Sequence, residues 1–96
     1  MNVDLYGYPT ACYVDNNGDI YFIIEKRSRY YPCDELLKLT ITDEGEFKME
    51  SVYKFEQDYM PASSLVKKDN LFYIGLGGGI VIFNMKNNKY DYYFSY

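Results

Sequence analysis

Asp15-Asn16-Asn17-Gly18-Asp19-Ile20-Tyr21-Phe22-Ile23-Ile24 places a turn signal directly ahead of a strand signal. Asn and Gly tolerate the left-handed backbone of a tight turn, and aromatic and β-branched residues fit a pleated, packed surface. With Ala11–Val14 on the other side of the turn, the stretch predicts a β-hairpin. Tyr21–Ile24 is apolar on both faces, so the second strand needs cover on both sides. Downstream, Asp43-Glu44-Gly45-Glu46 separates Leu37–Ile41 from a long strand that begins at Phe47. On that strand Phe47, Met49, Tyr53 and Phe55 are expected on one face, opposed by Lys48, Glu50 and Lys54. Such alternation marks a strand with one wet face, and the three-and-four spacing of a helix is missing.

The second half repeats the plan. Lys68-Asp69-Asn70 precedes Leu71-Phe72-Tyr73-Ile74, and Asn87-Asn88 separates Ile80–Met85 from Tyr90–Tyr96, where Tyr90, Tyr92, Phe94 and Tyr96 are expected to face one way. Pairing Ile20 with Leu71 gives an offset of 51, and Phe47 with Tyr90 an offset of 43, so the first copy carries eight extra residues between Ile24 and Leu37. Thirteen Tyr and six Phe, with Ala only at positions 11 and 62, point the same way as the pattern. At 96 residues the chain is read as one domain, 1–96, with a degenerate repeat over about 13–53 and 65–96. The expected fold is all-β: about eight antiparallel strands in two four-stranded meanders, packed as a small sandwich or a half-open barrel.

Asn17-Gly18-Asp19-Ile20-Tyr21-Phe22 and Asn70-Leu71-Phe72-Tyr73-Ile74-Gly75, each followed by an apolar strand and a polar turn, resemble blades of kelch and quinoprotein-like β-propellers. That resemblance implies four-stranded units stacked on one another. The chain lacks a Trp-Asp signature, a kelch double glycine ahead of a Tyr and Trp pair, and a cofactor-site signature, and it supplies two blades at most where propellers use four to eight.

Chemistry has little to build on. The chain has no His, which removes the usual general base, proton shuttle and commonest metal ligand. Cys12 and Cys33 fall short of a zinc ligand set and of a disulfide scaffold, and are read as reduced thiols. Ser64-Leu65-Val66-Lys67 matches a Ser-x-x-Lys pattern, but on a strand those two side chains point to opposite faces. Gly75-Leu76-Gly77-Gly78-Gly79 feeds a strand and not a phosphate-holding helix, so it is expected to be a wide turn or bulge at positive φ. Asp15-x-Asn17-x-Asp19 begins like a calcium loop but has Ile20 and Lys26 where Gly and Glu belong. The sequence therefore predicts no enzyme, no cofactor and no metal.

What remains is binding. A net charge of −4 argues against a phosphate-tracking surface and suits a basic protein partner. The insertion contributes Arg27, Arg29, Tyr30, Tyr31, Asp34 and Glu35, residue types enriched at interface hot spots together with carboxylates. The link between the halves adds Glu56, Asp58 and Tyr59. These nine residues are the expected partner-binding set. The leading expectation is a protein-binding module that occludes a basic protein, in the manner of immunity proteins or phage-encoded inhibitors. Carbohydrate or small-ligand binding and self-association of a partial propeller are the alternatives. The amino terminus reads as no signal peptide and no run is long enough to span a membrane, so the expected location is the cytoplasm.

Overall fold

A computed structural model describes residues 8–25, 34–55 and 62–94. They form eight strands and no helix: β1 (Tyr8–Val14), β2 (Ile20–Glu25), β3 (Asp34–Ile41), β4 (Phe47–Lys54), β5 (Ser64–Lys68), β6 (Leu71–Leu76), β7 (Gly79–Asn84) and β8 (Lys89–Phe94). Two antiparallel meanders result, ordered β1-β2-β3-β4 and β5-β6-β7-β8, neither of them closed into a barrel.

The turns follow from their residues. Asp15 Oδ1 accepts hydrogen bonds from the Asn17 and Asp19 amides, and Gly18 sits at φ 85°. Thr42 does the same work between β3 and β4, its hydroxyl accepting from the Glu46 amide, with Gly45 at φ 81°. Both glycines occupy left-handed backbone that a side chain would strain. The run Gly75–Gly79 departs from expectation. It makes a tight two-residue turn, Gly77-Gly78, between the paired Leu76 and Gly79, while the positive-φ glycines are Gly18 and Gly45. Close antiparallel pairing of β6 with β7 leaves no room for a wide bulge there.

One core joins the two sheets. Tyr21, Ile23, Leu36 and Phe55 from the first half pack with Leu65, Phe72, Ile74, Val81 and Phe83 from the second. Aromatic rings meet across the interface, Tyr21 edge-on to Phe72 at 5.0 Å, Tyr53 over Phe83 at 4.8 Å and Phe55 edge-on to Tyr90 at 5.3 Å between centroids. Such pairs add about 0.5–1.5 kcal/mol each beyond the area they bury. A second cluster, Phe22, Ile24 and Leu37, lies on the opposite, outward face of the first sheet.

Strand β4 corrects the expected alternation. The register pairs Leu37 with Ser51 but Leu36 with Tyr53, so Val52 is an extra residue in a β-bulge. The bulge shifts the phase of the strand. Met49 packs outward against the Phe22 cluster, on the side that also carries Phe47, whereas Tyr53 and Phe55 turn inward to the shared core. The four side chains do not share one face.

Candidate functional site

The first hairpin turn of each sheet lies at the same end of the molecule. The Asp15–Asn17 turn and the Lys67–Asp69 turn face each other across an open polar cleft of ≈ 400 Å³, lined also by Tyr13. Beneath it Tyr21 is almost wholly buried. Lys38 and Lys67 approach its ring, with their Nζ atoms 5.9 and 5.7 Å from the centroid. Asp19 holds Lys38 at 3.5 Å and accepts a hydrogen bond from the Thr40 hydroxyl. Burial raises the Tyr21 pKa, against the pull of Lys38, and Asp15 and Asp19 add to the rise. Burial would lower the Lys38 pKa, but Tyr21 and Asp19 outweigh it and the net shift is upward. At the other end an apolar crevice of ≈ 20 Å³ between Ile23, Phe55, Ile74 and Val81 has room for about one water.

Charge divides between the sheets. The described residues of the first half carry nine carboxylates against three lysines, while those of the second carry two carboxylates against four lysines. On the outward side of the first sheet, toward the turns, Ile41 pairs with Phe47 and both are exposed, at 50% and 39%. They flank the exposed turn residues Asp43, Glu44 and Glu46. Ile20, Leu39 and Met49 continue the apolar surface, half-buried, and Val14 on β1 is exposed. Toward the far end of that face, Ile24 and Leu37 are buried.

Of the residues expected to bind a partner, Arg27, Arg29, Tyr30, Tyr31, Glu56, Asp58 and Tyr59 lie outside the described residues. Asp34 opens β3 opposite Glu25. Glu35 is fully buried on the outward side of the first sheet, where it accepts a hydrogen bond from the Ser51 hydroxyl. In a single copy of the chain its carboxylate offers no surface to a partner. Ser64 and Lys67 sit on opposite faces of β5, as the strand spacing requires. Cys12 is an exposed free thiol. Among the described residues no three His, Cys, Asp or Glu side chains group as metal ligands, and no helix is long and apolar enough to cross a membrane.

Reading by sequence passed over Ile41 and Phe47. The sequence carries a signal for them, because two large apolar residues flank an acidic turn, but strict alternation along the strand places Phe47 on the buried face. Set against known proteins, the chain matches no protein-family model, no curated protein and no solved structure.

Proposed function

We propose that the chain is a non-catalytic protein-binding module that acts by occlusion, docking a basic protein surface onto the turn end of its first sheet. The observation that supports this reading is the exposed Ile41–Phe47 pair beside Asp43, Glu44 and Glu46. Apolar side chains supply the area that drives association, and the surrounding carboxylates choose a basic partner and speed the encounter. Inhibitors and immunity-type proteins that cover a basic active site work in this way.

Capture from a lysate of the natural source, with the wild-type chain and with an I41K/F47K variant, tests the reading. The wild type should retain one protein stoichiometrically and release it at high salt, and the variant should lose it with an unchanged circular dichroism spectrum. A partner held equally by both chains would rule out this surface.

The polar cleft favours a second reading, binding of a carbohydrate or similar small ligand between Tyr13, Asp15, Asn16, Asn17 and Lys67. Aromatic stacking and side-chain amides and carboxylates are the groups that sugars use. Titration with an oligosaccharide panel should then move amide resonances of those residues, and an unmoved spectrum across the panel would discard it.

A further inference from the structure

We propose that the basic surface docked by the first sheet is the second sheet of another copy of this chain, so that copies add head to tail. This rests on the reading of the first-sheet turn end as a docking surface, and it names the partner.

The way the two sheets already stack points to this occupant. Their strand order is the same, and β1 runs beside β5 in the same direction, because the turns that follow them meet across one cleft. Tyr21 on β2 meets Phe72 on β6, and Tyr53 on β4 meets Phe83 on β7 and Tyr90 on β8. The second sheet is thus a displaced copy of the first in one orientation, and the inward face of the first corresponds to the outward face of the second. The hairpins agree. Asp15 bonds Asp19 across the first turn, and Lys68 pairs with Leu71 across the next; aligning these pairs sets Tyr21 against Tyr73, one residue on from the offset given by Ile20 and Leu71. The row Tyr13, Tyr21, Lys38, Glu50 then corresponds to Val66, Tyr73, Ile82, Asp91. In the same way Ile20, Leu39 and Met49, outward on the first sheet, correspond to Phe72, Phe83 and Tyr90, which pack inward. One copy therefore displays at each end a counterpart of the two faces that it packs together in its middle.

Exposure and charge fit the same step. On the outward face of the second sheet Val66 is 50% and Tyr93 55% exposed, with Tyr73, Ile80 and Ile82 half-buried between them. Lys68, Lys86 and Lys89 edge that surface at its turn end, where the first sheet carries Asp43, Glu44 and Glu46. Ile24 and Leu37 are already out of solvent, so the contact falls on Val14, Ile20, Leu39, Ile41, Phe47 and Met49. Two different patches meet, so the contact is heterologous and builds a ring or an open stack, not a two-fold dimer.

Sedimentation velocity on the wild type and on two blocked variants tests the proposal. V66D/Y93D places acid within the exposed apolar patch of the second sheet, and I41K/F47K places lysine against the lysines; all four positions are exposed, and circular dichroism confirms the fold. The wild type should form species beyond dimer as concentration rises, and salt should weaken them. Each variant alone should be a monomer of 11.4 kDa. Their equimolar mixture should give a species of twice that mass and nothing larger, since one intact face of each kind remains. A wild type that stays monomeric, a mixture that stays monomeric, or either variant dimerising alone would overturn it. A monomeric wild type that still captures a foreign basic protein through Ile41 and Phe47 would refute the copy as partner while sustaining the docking surface. Capture unaffected by I41K/F47K would refute the surface itself.

Discussion

Tyr21 is the residue on which the turn end converges. Its ring closes the core against Phe72, and its hydroxyl shares the polar layer with Lys38, Asp15 and Asp19. Burial raises the phenol, Lys38 opposes the rise, and the two aspartates support it. For Lys38, burial acts downward but Tyr21 and Asp19 prevail, so its ammonium is also held above its ordinary value. The unfolded chain releases these protons from ordinary values of 10.0 and 10.5, whereas the folded chain keeps them to higher pH. The stability they contribute is therefore complete below about pH 10 and falls as pH climbs beyond it. Urea midpoints between pH 8 and 12 should drop more steeply for the wild type than for Tyr21→Phe, which keeps the ring and removes the titration. Parallel curves would show that the phenol is not coupled to folding.

Strand β4 shows what patterning can and cannot disclose about an element. Strand positions, turn chemistry and sheet content followed from Asn-Gly and Glu-Gly signals and from runs of Tyr, Phe and Ile, because these act within a few residues. The face of each side chain is a longer-range property. Phe47, Met49, Tyr53 and Phe55 lie even numbers of residues apart, yet the Val52 bulge sends the first two outward and the last two inward. Nothing local to Ser51-Val52 announces the bulge, since it is fixed by pairing with Leu36 and Leu37. The exposed Ile41–Phe47 pair is hidden for the same reason: with Phe47 expected inward, the pattern leaves no exposed apolar pair beside Asp43–Glu46. A one-residue deletion in a strand ordinarily flips every later side chain. Deleting Val52 should be mild, costing roughly 1–2 kcal/mol for one half-buried aliphatic residue, because Tyr53 stays inward. Deleting Lys54 should be severe, costing about 3 kcal/mol or more, since Tyr53 and Phe55 become neighbours and one of them must leave the shared core. Thermal melts of the two variants decide it, and equal damage from both would contradict the assigned register.

At the scale of the molecule, the second meander has no core of its own. Phe72, Ile74, Val81 and Phe83 occupy one face of the second sheet, and their cover is Tyr21, Ile23, Leu36 and Phe55 from the first. Separated, the second sheet would expose a complete aromatic face, and fully burying each such side chain is worth about 1.5–3 kcal/mol. A chain of this size holds only about 5–15 kcal/mol in total, so the loss of that face exceeds what four short strands recover by pairing. The charge division acts in the same sense, because the carboxylate-rich half and the lysine-rich half attract. Fragment 62–96 should be unfolded alone and should regain near-ultraviolet tyrosine dichroism when mixed with fragment 1–61. That recovery should weaken as salt screens the attraction. A second fragment that folds by itself would mean that its outward face, Val66, Tyr73, Ile82 and Tyr93, can bury the inward one by pairing with further copies. Its folding would then depend on concentration, and the fragment would carry the proposed head-to-tail contact without the first sheet. A concentration-independent folded fragment would instead show that the shared aromatic core is not what holds the second sheet together.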